Sequence, residues 1–160
     1  MADLQYQGMV DEAEFLRLVS YETCDMNHIP DHLRGFDFCW SACCLEHLGS
    51  IRHGLDFIIN SLDTLNPGGM AVHTTELNLS SNDATVETGP TVLFRRRDLE
   101  DLMSEVEALG HSITPLSISL MATPLDHHVD VPPYGDTLHL KLLLMEYVST
   151  SVGVVIRKAS

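Results

Sequence analysis

Two short polar clusters in this sequence have the residue types that move protons. Glu46-His47 follows the apolar run Phe36, Phe38, Cys39, Trp40 and Ser41, and His73-Thr74-Thr75-Glu76 closes a second run that begins at Met70. Histidine changes charge near neutral pH, so His47 and His73 are the candidate general bases. A third cluster, His127-His128 followed by Asp130, lies in the ring-rich stretch "ATPLDHHVDVPPYG", which ends near Tyr134. Neutral imidazoles beside carboxylates also bind zinc or a similar divalent ion, so a metal-dependent enzyme using the His/Glu crevice is one reading. A lone histidine at a strand end is ordinarily hydrogen-bonded structure, however, and no metal ligand is assigned.

Charge narrows the partners. Nine Lys and Arg against 23 Asp and Glu give a formal net charge of -14, which repels a phosphate backbone and an anionic lipid surface. Nucleic acid and membrane are therefore excluded as expected partners. The one basic run, Arg95-Arg96-Arg97, is either a hold for a phosphate or carboxylate or, as such runs usually are, a solvated turn before a helix.

The elements that must position these clusters follow from periodicity. Phe36 to Ser41 reads as a buried parallel strand. From Ile51, the positions Leu55, Ile58, Ile59, Leu62 and Leu65 recur at helical spacing until Asn66-Pro67-Gly68-Gly69 stops the helix, and Met70 to Thr75 is the next strand. A second helix spans 98 to 109, capped by Asp98, with Leu99, Leu102, Met103, Val106 and Leu109 on its core face. Ile113 to Leu120 is a further strand, residues 122 to 136 a loop, and Leu138 to Leu144 with Tyr147 to Arg157 an antiparallel pair.

This alternation gives an α/β sheet, mostly parallel with an antiparallel C-terminal pair and helices on its faces, in one domain over residues 1–160. Hydrophobic residues at 44% and charged residues at 20% suffice for a real core. With no apolar stretch of 18 or more residues and no signal-peptide pattern at the N-terminus, a cytoplasmic location is expected. Cys24, Cys39, Cys43 and Cys44 lack metal spacing and read as reduced core thiols.

The order "FDFCWS", "LEHL", amphipathic helix, "LNPGG", "MAVHTTE" and "FRRRDLEDLMSEVEALGH" resembles the C-terminal half of class I S-adenosylmethionine-dependent methyltransferases. Upstream, "VSYETCDMNHIP" is similar to that family's third strand and the adenine-contacting turn after it. The resemblance covers about residues 19 to 119. It implies a truncated Rossmann-like sheet, in which Asp25, Met26 and Asn27 flank the adenine of S-adenosylmethionine and Ser41 to Glu46 line its methionine side. Ligands bind such sheets outside the carboxyl ends of the strands, so Ser41, Glu46, His47, His73 and Glu76 would share a crevice. The loop carrying His127, His128 and Tyr134 lies where the family varies for substrate, and a small-molecule or sugar-like acceptor is expected there.

Part of that family's pattern has no counterpart in the chain. No two glycines have G-x-G spacing, and the two strand–helix units that precede the third strand would need about 60 residues, whereas residues 1 to 18 precede it here. Two expectations follow. This chain alone binds S-adenosylmethionine weakly or not at all. The outer edge of Phe36 to Ser41 is also left open, to be covered by the segment Val19 to Cys24 or by a second copy in a homodimer. A non-catalytic remnant of the fold that acts by self-association or partner binding is the competing functional reading.

Overall fold

The computed structural model describes residues 4, 8–118, 123–136 and 138–160. Its strands are β1 (Phe36–Ala42), β2 (Leu65–Asn78), β3 (Ser112–Ile113), β4 (Leu142–Leu144) and β5 (Tyr147–Arg157). Its α-helices are α1 (Glu12–Leu18), α2 (Ile51–Ser61), α3 (Arg96–Ala108) and the single turn α4 (Pro124–His127). None of these helices is long and apolar enough to cross a membrane.

The sheet runs β1-β2-β5-β3, with β4 paired to the other end of β5. β1 and β2 are parallel neighbours, Phe38 opposite Met70 and Ser41 opposite His73, as the short crossover through α2 requires. The remaining pairings, β2–β5, β3–β5 and β4–β5, are antiparallel. The α/β sheet expected from the sequence is thus a mixed one, with parallel pairing confined to β1–β2 rather than general.

Two strands are also shorter than the sequence suggested. Ile113 to Leu120 was expected to be one strand, but pairing with β5 ends at Ile113, and Thr114 adds a single bond to the Val155 carbonyl before the chain leaves the sheet. Positions 119 and 120 lie outside the described residues. In the same way only Leu142–Leu144 of the expected Leu138 to Leu144 pairs, since Leu138 and Leu140 stay exposed and gain nothing from the ladder. The segment Val19 to Cys24 forms no strand; Tyr21 is 65% exposed and no neighbouring strand offers it bonds.

Both long helices cover one face of the sheet. Ser50 caps α2 by accepting from the His53 N–H, and Ile51, Leu55 and Ile58 of α2 pack with Leu99, Leu102 and Val106 of α3 in the core cluster. The sheet face beneath them carries Ala71, Thr75, Leu77, Val152, Val154 and Ile156, all buried. Gly54 lets α2 approach closely, because a Cβ there would meet the Phe94 ring at 2.6 Å and the Leu45 carbonyl at 3.0 Å.

The start of α3 differs from the expectation. Arg95, not Asp98, is the cap, and Asp98 sits at the third helical position, where its carboxylate accepts from the Arg95 N–H at 2.8 Å and from the Arg95 Nε at 2.9 Å. Arg95 is 6% exposed and Asp98 8%, so this end of the basic run is a buried ion pair, not a solvated turn. Leu109 falls off the core face and is exposed.

Candidate functional site

The carboxyl ends of β1 and β2 are tied together by the turn between β1 and α2. The Cys43 N–H donates to the Thr74 carbonyl and to its Oγ1, both at 3.2 Å. Cys43 takes a left-handed backbone, φ 48, unusual for a residue with a side chain. A 3-10 turn, Leu45–His47, follows and buries Glu46, whose carboxylate accepts from Thr75 Oγ1 at 3.0 Å while its carbonyl accepts from the Val92 N–H at 2.8 Å. Glu46 is therefore fixed to the end of β2 from both its side chain and its backbone.

Ser41 and His73 meet across the strand pair. Ser61 Oγ donates to the Ile58 carbonyl at 2.7 Å, which leaves its oxygen to accept from His73 Nε2–H at 3.2 Å. The other ring nitrogen, Nδ1, then accepts from the Ser41 hydroxyl at 2.8 Å. Phe57 closes the site edge-on, its ring centroid 5.6 Å from that of His73. The ring is 1% exposed, and burial pushes its pKa down to about 4, so His73 is neutral at physiological pH.

His47 is arranged differently. It is exposed, and its Nδ1–H donates to the Pro90 carbonyl at 2.9 Å, with Thr91 Oγ1 at 3.3 Å. In the neutral ring this fixes the lone pair on Nε2, the form a general base needs. The two candidate bases are thus separated in role, one inside the core and one at the surface. Glu76, half-buried on the sheet face opposite the helices, accepts from Ser149 Oγ at 3.1 Å and Ser151 Oγ at 2.9 Å.

The turn proposed for adenine is ordered by its own carboxylate. Asp25 accepts from the Asn27 N–H at 2.9 Å and lies 3.1 Å from His28 Nδ1; the backbone bond, then His28, hold its carboxyl below the usual range. Met26 packs against the core cluster, while Asp25 and Asn27 stay exposed. In the loop expected to take the acceptor, His127 and His128 are exposed, and Tyr134 donates its hydroxyl to the Leu143 carbonyl at 2.8 Å. Buried Asp130 lies 3.0 Å from His139 Nδ1 rather than beside its sequence neighbours.

Among the described residues, one group of metal-ligating types gathers closely: Cys43, Glu46 and Glu76 offer atoms within 4.8 Å of one another. Neither His47 nor His73 joins it. All four cysteines are free, but Cys24 and Cys43 are exposed, which corrects the reading of all four as core thiols. Sequence reading did not single out Ser61 or His139. A polar residue three positions after Ile58 on the apolar face of α2 was the available signal for Ser61.

No family model and no curated protein matches the chain. Among solved structures it is similar to TehB from Haemophilus influenzae, at 11% identity and a TM-score of 0.48, covering 88% of this chain and 40% of that one. It is also similar to the antibiotic-resistance methyltransferase Kmr, at 14% identity and a TM-score of 0.41, covering 84% of this chain and 59% of that one. The chain spans less than two thirds of either structure's length, and the functional reading below rests on the site's geometry.

Proposed function

We propose that this chain is a class I S-adenosylmethionine-dependent methyltransferase domain, or a shortened relative of one, whose complete form acts on a small-molecule or sugar-like acceptor. The observation that carries the reading is the latch between β1 and β2: Cys43 bonded to Thr74, and Glu46 bonded to Thr75. It sets the Ser41 to His47 segment rigidly at the carboxyl ends of a parallel pair, where open α/β sheets bind their ligands.

The residues present fit two sides of S-adenosylmethionine. Asp25, Met26 and Asn27 form an ordered turn for the adenine, and Ser41 to Glu46 line the methionine side. The bound group supplies the methyl carbon; the chain's own residues orient the acceptor and take its proton. His47, with Nε2 free to accept, is the base, and His73 is a positioning residue that fixes the Ser41 hydroxyl. With no G-x-G turn to let backbone approach the cofactor, the grip of this chain alone is weak. Titration with S-adenosylhomocysteine tests the reading.

A second reading, self-association, is favoured by β1. No strand among the described residues pairs with its outer edge, and on one face Phe36, Phe38 and Trp40 are 45%, 52% and 70% exposed. An apolar groove of about 320 Å³ separates β1 from Cys24, Ile29 and Leu33, so the preceding segment does not close the edge. Antiparallel pairing of two copies about Cys39 would set Phe38 against the partner's Trp40 and Asp37 against the partner's Ser41, with no like charges opposed. A dimer by sedimentation that Trp40→Asp converts to monomer is expected; a wild-type monomer at high micromolar concentration would overturn the dimer.

A further inference from the structure

The acceptor loop borders a cavity of about 460 Å³, larger than the groove beside β1 and of a size that holds a small molecule. It exists because the chain leaves β5 after Thr114, so that the Thr150 to Gly153 stretch of β5 lines open space where a strand was expected. Leu77, Leu79, Ile118 and Leu140 give it apolar walls, and Ser117, Asp126, Lys141, Thr150 and Ser151 bring polar groups.

Lys141 stands apart from the other cations of a chain with net charge -14. Arg17, Arg34, Arg52, Arg95, Arg96 and Arg97 each lie within ion-pair distance of a carboxylate. Arg157 and Lys158 turn to backbone carbonyls at Gly68 and at Leu62 and Leu65. Half-buried Lys141 makes one hydrogen bond among the described residues, to the Asp126 carbonyl, which leaves two of its three N–H donors for the cavity. The Asp126 carboxylate accepts from the Thr123 N–H and hydroxyl, which binds it to the start of α4.

A chamber with apolar walls, hydroxyls from Ser117, Thr150 and Ser151, one ammonium, and one carboxylate, Asp126, that accepts from Thr123, suits an amphipathic anion. We propose that this cavity is the acceptor subsite and that the acceptor is a small molecule with an apolar body and a carboxylate or phosphate head, the head held by Lys141. This deepens the methyltransferase reading, on which it rests for the word acceptor. A charge-assisted bond from a half-buried ammonium also explains how so acidic a chain retains an anionic ligand.

The test is an NMR titration of the isotope-labelled 160-residue protein with benzoate, phenyl phosphate and benzyl alcohol. Saturable shifts at Leu77 and Thr150 to Gly153 are expected with one or both anions, the better one naming the head group. Benzyl alcohol should bind at least about tenfold more weakly, the scale of one lost charge-assisted bond. Lys141→Met should weaken the anion by about the same factor and leave the alcohol unchanged, while Lys141→Arg keeps most of the affinity. Equal binding of alcohol and anions, no response to Lys141→Met, or shifts confined to Arg95 to Arg97 would overturn the assignment. S-adenosylhomocysteine added to the same samples separates the two claims. Shifts at Asp25 to Asn27 without anion binding would sink the Lys141 subsite alone, and anion binding with S-adenosylhomocysteine shifts confined to residues other than Asp25 to Asn27 would sink the methyltransferase reading alone.

Discussion

His73 makes stability depend on pH in a calculable way. Its pKa is depressed by burial from 6.5 to about 4, so the folded state binds fewer protons than the unfolded state between those values. The stabilisation is fully present above the unfolded value, is lost as pH falls toward the folded value, and changes no further below it. Linkage with these two values gives a loss of about 2 kcal/mol between pH 7 and pH 5, and about 3 kcal/mol over the whole window. The ring is 1% exposed, so solvent screening does not reduce the effect. Urea denaturation at pH 7 and pH 5 would measure it, with His73→Gln as the reference, because an amide can still bond Ser41 and Ser61 but does not titrate. The wild type should lose about 2 kcal/mol more than the variant over that interval. Equal losses in the two proteins, or an NMR titration showing the His73 ring protonating near pH 6.5, would refute the reasoning.

Two further substitutions probe the frame around the site. Gly54→Ala should destabilise by about 1 to 3 kcal/mol, because the added methyl collides with Phe94 and the Leu45 carbonyl beside Glu46; thermal denaturation reads the loss. Arg95→Met leaves Asp98 as an unpaired buried carboxylate and frees the Asp83 and Glu87 loop, so a loss of about 3 to 5 kcal/mol is expected in urea denaturation.

The central unit was legible in the sequence because its signals agree. The apolar run at Phe36 and the helical spacing from Ile51 specify β1-α2-β2, and Tyr147–Arg157 matched its strand end to end; but α2 ends at Ser61, Asn66 to Gly69, read as the helix stop, lie inside β2, and Phe36, Phe38 and Trp40 of the strand expected to be buried are exposed. The outer elements were less legible because their pairing depends on what lies beside them. Ile113 to Leu120 has strand-like residues, yet its pairing with β5 ends at Ile113 although β5 itself continues back to Tyr147. Arg95 at a helix start reads as solvated, and only the fold shows that Asp98 folds back under it. His73 was read as a strand-end polar group, while its period-two neighbours Ala71, Thr75 and Leu77 place it on the buried face. Its partner Ser61 comes from α2, a contact that no local pattern announces.

The most direct measurement is an isothermal and NMR titration of this chain with S-adenosylhomocysteine at high protein concentration. Losing two hydrogen bonds to a charged acceptor, at about 1.5 to 3 kcal/mol each, weakens a micromolar site by roughly two to four orders of magnitude. Saturable binding in the millimolar range, with shifts at Asp25 to Asn27 and Ser41 to Glu46, is the predicted result. Saturable shifts confined to other residues would contradict the methyltransferase reading, and a dissociation constant in the low micromolar range would contradict the claim that this chain holds only part of the cofactor's grip.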